Sequence, residues 1–401
     1  MERELTLRWL LPLALSVLFV AGVAVAQVPQ EAVAPLPEPG PGAAGTAVAY
    51  LVDESRADAE FSAGRPITLQ LWYPADASDR HMAPYLFEPD LGAMLLRIGY
   101  YGIDSLALRE WARLSTHSRI DAPVASGTHP LLTLSVGLGV VRANYTSIAE
   151  ALAARGYVVA LVESPYMGAM SLPDGAEIVD TIGLVNEPSA HRAAVEAWSR
   201  DVSFALDRLQ AGAVPDAVRP VADAIDWTRI GAFGHSTGGL VAIATCEREG
   251  RVRACANMDG GLASPDEEPL AEFVETGVGK PTLFLRSKPL YSDEDFARRG
   301  VTREEWEKRG EPGRRAFASF AARSPGPVCT AHVAGTGHFS FSDAPFVMPS
   351  AIARFGGQII DARRGLLVIT TVLHDFFEAV FEGGSGCEEL DPPFAEVELT
   401  R

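Results

Sequence analysis

The sequence predicts an α/β protein, with a mostly parallel central sheet flanked by helices, and three observations carry that prediction. Apolar runs of strand length alternate with segments of helical periodicity, as from Leu131–Val136 through Tyr145–Arg155 to Tyr157–Val162. Joins this short make a parallel strand–helix–strand unit. The stretch Arg229–Glu247, RIGAFGHSTGGLVAIATCE, reads as strand, sharp turn and helix. Finally, 401 residues, 47% of them hydrophobic and 21% charged, supply a large core of ordinary soluble composition.

The elements follow in chain order. Arg3 and Arg8, the apolar run Trp9–Val23 and the small residues Ala24, Val25 and Ala26 before Gln27 form a secretory pattern. Residues 1–26 are expected to be a cleaved signal peptide, which makes the protein secreted or periplasmic. Residues 27–45, rich in Pro, Ala and Gly, read as a flexible leader, and residues 46–401 as a single domain. Ala47–Val52 and Ile67–Tyr73 open the sheet. The long stretch 74–130, with a helix at Leu106–Leu114, is expected to be a cap-like insertion.

After the strand–helix–strand unit, the loop Glu163–Pro188 offers Tyr166, Met167, Met170 and Leu172 as an apolar pocket wall. A helix at Ala190–Leu209 carries an apolar stripe. Beyond the turn at residue 236 come strands at Ala254–Met258, Pro281–Leu285 and Val328–Val333. Between the last two, residues 293–323 read as a charged helical excursion, a second cap-like insertion. The helix Ile360–Phe381 closes the domain.

Charge and motifs exclude several chemistries. A net charge of −18 argues against nucleic acid as a partner and gives no general attraction to anionic membranes. No CxxC pair, HExxH or P-loop is present, so zinc or nucleotide chemistry is not expected. An exported chain can form disulfides. The reading favours Cys246–Cys255 and Cys329–Cys387, with buried free thiols as the alternative.

The turn Gly234-His235-Ser236-Thr237-Gly238 has the G-x-S-x-G spelling of a nucleophile elbow. Residues without side chains two before and two after the serine let strand and helix pass closely. A serine needs a base, and the base needs an orienting acid. His338 is the candidate base, delivered at a strand's end by Gly335-Thr336-Gly337. His332 within that strand reads as structural, His235 as an elbow neighbour pointing away from the nucleophile, and His374 as a residue of the final helix. Asp259, followed by two glycines at the end of the next strand, is favoured as the acid. Asp293 or Glu294, in a charged helical run, is the alternative. The oxyanion hole requires two backbone donors. Thr237 supplies one, and Leu138 in Gly137-Leu138-Gly139 is chosen for the other.

The set GLG (137–139), GHSTGG (234–239), MDGG (258–261) and GTGHFSFSD (335–343) resembles the platelet-activating factor acetylhydrolase family of α/β-hydrolase serine esterases. The likeness runs from about Ile67 to the final helix. It implies an α/β-hydrolase fold, Asp259 as acid, Leu138 as oxyanion partner, no cofactor, and hydrolysis of short-chain acyl or phospholipid sn-2 esters. Val136 stands where that family often has histidine, and the interval from Asp259 to His338 is long. The resemblance implies a small-molecule or lipid ester as substrate, with a polyester or cutinase-like hydrolase as the alternative. The stretch Pro345–Ile352 could touch a lipid surface transiently. A non-catalytic binding module on the same scaffold is the reading from another class.

Overall fold

Residues 131–134, 230–235 and 254–258, in the strands around the elbow, are buried without interruption and are apolar or small with few exceptions, as strands covered on both faces require. The computed structural model describes residues 33–401 except 59, 89, 180–186, 265 and 354–356. The expected signal peptide lies outside the described residues. The sheet opens with β1 (Ala44–Asp53), β2 (Arg65–Pro74) and β3 (Met82–Pro84), followed by the helices α1 (Leu91–Ile98) and α2 (Ser105–Arg113). Next come β4 (Ser115–Ile120), β5 (His129–Ser135), α3 (Thr146–Ala153), β6 (Val158–Glu163) and a small hairpin of β7 (Met170–Ser171) and β8 (Glu177–Ile178). The second half runs α4 (Pro188–Gln210), α5 (Arg219–Asp223), β9 (Ile225–His235), α6 (Thr237–Arg248), β10 (Val252–Met258), α7 (Phe273–Thr276) and β11 (Thr282–Lys288). It ends with α8 (Asp293–Arg299), α9 (Arg303–Arg309), α10 (Glu311–Arg323), β12 (Val328–Ala334), α11 (Ala344–Val347), α12 (Pro349–Ala353), α13 (Ala362–Phe381) and β13 (Val397–Thr400).

Among the described residues the main sheet has 11 strands in the order β13-β12-β11-β10-β9-β5-β6-β2-β1-β4-β3. From β12 to β6 every neighbour is parallel. β2 joins β6, and β13 joins β12, in antiparallel fashion. Helices cover both faces, as alternation along β9 shows. Gly231 approaches Phe377 of α13 so closely that a Cβ would lie 2.5 Å from its ring, and Phe233 meets the same ring. The alternate residue Gly234 faces the start of α6. This is the α/β-hydrolase arrangement, with β9 inside the parallel part of the sheet, between β10 and β5.

The segments expected to stand apart contribute to the body. Stretch 74–130 supplies β3 and β4 at the edge beside β1. Trp111 of α2 is buried and donates its indole N–H to Val347 O at 2.8 Å. Within 293–323, Phe320 is buried against Phe273 and Phe284. The expected leader is in part built in: Leu36 is buried, Ala34 N–H donates to Phe346 O, and Ala44 and Gly45 already belong to β1.

One disulfide matches expectation, Cys329–Cys387. The other is corrected: Cys246 and Cys255 are free and buried. Their thiols meet in the core, where the Cys255 Sγ also lies 3.4 Å from the Thr282 hydroxyl. Burial, then the hydrogen bond with Cys255, pushes the Cys246 thiol well above its usual range. Cys246 thus stays protonated, and the two buried side chains act as small apolar fillers. Among the described residues, no helix is long and apolar enough to cross a membrane.

Candidate active site

Ser236 caps the N-terminus of α6 with φ 55° and ψ −125°, a strained conformation for any residue with a side chain. Two glycines permit it. A Cβ on Gly234 would lie 2.1 Å from Gly238 O, and one on Gly238 would lie 2.2 Å from the carbonyl oxygens of Ser135 and Val136. The Ser236 N–H donates to Met258 O at 2.8 Å, which ties the elbow to β10.

The residues expected to cooperate come together from three strand ends. His338, just past β12, has Nε2 3.1 Å from Ser236 Oγ and Nδ1 2.8 Å from Asp259 Oδ2. Asp259, just past β10, has φ 56° and donates its N–H to Leu285 O. Its carboxylate also accepts from the Ser287 N–H at 2.9 Å and from the Ser287 hydroxyl. Burial raises its pKa, but the hydrogen bond and charge of His338, the charge of Arg286 and the Ser287 N–H hold it below the usual carboxylate range. Asp259 is therefore an anion, as an orienting group for His338 must be. The alternatives do not reach: Asp293 is exposed and pairs with Arg303, and Glu294 is exposed.

The loop after β5 lies beside the serine, where a Cβ on Gly137 would be 3.4 Å from Ser236 Cβ. Gly137 N–H donates to the Tyr145 hydroxyl and Gly139 N–H to Met167 O. Leu138 is thus held on both sides, next to the N-terminus of α6 that begins with Thr237. The His191 Nε2 lies 3.4 Å from the Thr237 hydroxyl, and its Nδ1 lies 3.2 Å from Leu270 O. Burial lowers the His191 pKa, so it is neutral there.

Other residues near the site were not singled out from the sequence. Ser287 and Arg286 reach Asp259 because β10 and β11 run in parallel register, a pairing that no local pattern announces. Arg286 lies over the rings of Phe284 and Phe317 and donates to Gly260 O at 2.7 Å. Tyr101 stacks edge-on against Phe339, which itself meets the His338 ring. Of the expected pocket wall, Met167 and Met170 are buried, and Tyr166 donates its hydroxyl to Asp58. Residues 180–186 of that loop lie outside the described residues. His235, expected to point away from the serine, packs against the His338 ring, with centroids 4.6 Å apart and the planes tilted by 43°. Among the described residues, no group of three or more His, Cys, Asp or Glu side chains is placed to hold a metal ion.

This geometry can generate a serine nucleophile, shuttle a proton through an imidazole and hold that imidazole by a carboxylate. Residues 59–170 match the family described as platelet-activating factor acetylhydrolase, isoform II. The chain resembles the platelet-activating factor acetylhydrolases. That match includes the Gly137–Gly139 loop and ends before the elbow. Over 262 residues the chain is 26% identical to a probable 1-alkyl-2-acetylglycerophosphocholine esterase of Arthroderma benhamiae, covering 62% of this chain and 60% of the relative. Over 197 residues it is 25% identical to the platelet-activating factor acetylhydrolase of Cavia porcellus, covering 44% of each. The chain therefore spans between 44% and 60% of the length of these curated relatives. Among solved structures, a ferulic acid esterase from Streptomyces cinnamoneus superposes with a TM-score of 0.70 at 28% identity, covering 93% of this chain and 99% of that one.

Proposed function

We propose that this protein is a serine esterase that cleaves carboxylic esters through an acyl-enzyme. The observation that carries the reading is the hydrogen-bonded line Ser236, His338, Asp259 at the strand ends. Ser236 Oγ attacks the ester carbonyl carbon while His338 Nε2 takes its proton. Asp259 fixes the Nδ1–H tautomer and stabilises the imidazolium without accepting the proton. The tetrahedral oxyanion rests on the N–H groups of Thr237 and Leu138, each worth about 3 kcal/mol of barrier. His338 then protonates the leaving alcohol, and water, activated by the same imidazole, releases the acid.

Short acyl or phospholipid sn-2 esters are the first substrate reading, supported by the likeness to acetylhydrolases. Esters of aromatic acids are the second, favoured by the near-complete superposition with a ferulic acid esterase and by the Tyr101–Phe339 wall beside His338. The N-terminal pattern supports export before either reaction.

Replacing Ser236 with Ala should abolish hydrolysis of p-nitrophenyl acetate while the circular dichroism of the native protein persists. A folded Ser236→Ala variant that still turned over would overturn the mechanism. Comparing short and long acyl esters, a short sn-2 glycerophospholipid and methyl ferulate separates the substrate readings.

A further inference from the structure

The hydrogen bonds at the site continue beyond the serine, histidine and aspartate. Tyr145, immediately before α3, is fully buried. Its hydroxyl oxygen accepts from the Gly137 N–H at 2.8 Å and lies 2.9 Å from Nδ1 of His235. On the far side of that imidazole, Nε2 lies 2.8 Å from the carbonyl oxygen of His338. A carbonyl only accepts, so Nε2 carries the proton. Nδ1 is then a lone pair, and the Tyr145 O–H donates to it. Burial, with the nearby charge of His338, lowers the His235 pKa to about 3, so the ring stays neutral in this tautomer.

The line therefore runs in one direction, from Gly137 N–H through Tyr145 and His235 to the backbone of His338. It connects the loop after β5, which carries Leu138, with the loop after β12, which carries the imidazole. These loops are distant in the chain, and both lie against Ser236. Phe341 stacks on the His235 ring, with centroids 6.1 Å apart. An apolar pair of similar volume would fill the space without the cost of burying a hydroxyl and an imidazole. Fully bonded, they specify one arrangement.

We propose that Tyr145 and His235 are positioning residues for ester hydrolysis, holding the Gly137–Leu138 segment and the His338 loop in register across the nucleophile. The inference rests on the serine esterase reading. It predicts a defect in the transition state rather than in ground-state binding, because small displacements of the donors and base cost rate.

The experiment compares kcat, KM and thermal midpoint for the full chain as wild type, Ser236→Ala, Tyr145→Phe, His235→Leu and His235→Gln, on p-nitrophenyl acetate. Tyr145→Phe and His235→Leu should each lower kcat roughly 10- to 100-fold with KM within about twofold. His235→Gln returns an N–H close to the Nε2 position and should recover most of that loss. A loss carried by KM, a kcat within twofold of wild type in both Tyr145→Phe and His235→Leu, or a Gln variant no better than Leu would overturn the proposal. If His235→Leu fails to fold, Tyr145→Phe decides, since it removes one oxygen and leaves the ring packed. Turnover by Ser236→Ala would instead strike at the esterase reading itself, so the two failures are distinguishable.

Discussion

Ser236 and Asp259 both hold positive φ, 55° and 56°, without being glycine. Such strain costs on the order of 1–3 kcal/mol each and persists only where the surroundings fix it. The fixing groups are backbone: Ser236 N–H on Met258 O and Asp259 N–H on Leu285 O. Their glycine neighbours in the sequence, GHSTGG and DGG, are what mark Ser236 and Asp259 as candidates, as Gly335 and Gly337 mark His338. The partners that tune Asp259 were not, because Ser287 and Arg286 arrive only once β10 and β11 are in register. If Asp259 is the orienting anion, Asp259→Asn should drop kcat by roughly four orders of magnitude, since the neutral amide favours the wrong imidazole tautomer. Asp293→Asn, at the exposed alternative, should change kcat less than about twofold, in line with the small effects of surface substitutions. Steady-state kinetics on the two variants checks both, and the reverse ranking would move the acid to 293.

At the scale of elements, the alternation of apolar strands and amphipathic helices made the parallel sheet readable, whereas its edges were hidden. β4, STHSRI, keeps its place through polar contacts, with Thr116 donating to Ala83 O and Ser118 to Glu150. β13, VELT, is a half-exposed edge strand. Neither has the apolar run that marks a central strand. The cysteines show the same limit. Cys246 ends α6 and Cys255 lies on the next strand, so they were rightly placed side by side, but spacing does not distinguish a bond from two packed thiols. A thiol reagent should label none of the cysteines in the native chain, two in denaturant, and four after denaturation and reduction. Labelling of none before reduction would restore the second disulfide. Cys329–Cys387 closes a sequence separation of 58 and pins the segment leading to β13. On chain entropy its removal by a double Cys→Ser change should cost about 4 kcal/mol, seen as a lower thermal midpoint.

Across the whole molecule, a buried ionic cluster joins parts that are remote in sequence. Arg142, just after the Gly137–Leu138 loop, donates to Glu88 from the first insertion and to Gln70 of β2, and it pairs with Glu163 at the end of β6. Two carboxylates share one guanidinium out of water, and the site cannot readily carry both charges. Burial is the largest cause raising the Glu163 pKa to about 7, Arg142 opposes it, and Glu88 adds to it; Glu88 itself is held low by Arg142. None of this is visible in sequence, since Glu88, Arg142 and Glu163 look like surface charges until the sheet gathers them. The sign of the linkage follows. Between the ordinary carboxylate range and pH 7 the folded state holds a proton on Glu163 that the unfolded chain has lost. The associated stability is fully present below that range and is lost as pH rises through about 7. Asp343 and Glu150, buried and also raised, add slopes of the same sign but are untouched by a change at 163. Glu163→Gln keeps the neutral shape and removes the titration. Its thermal midpoint should therefore fall less than that of the wild type between pH 5.5 and 8, and it should be the more stable protein at pH 8. Parallel midpoint-against-pH curves for the two would show that Glu163 ionises normally in the fold, and that the cluster carries both negative charges.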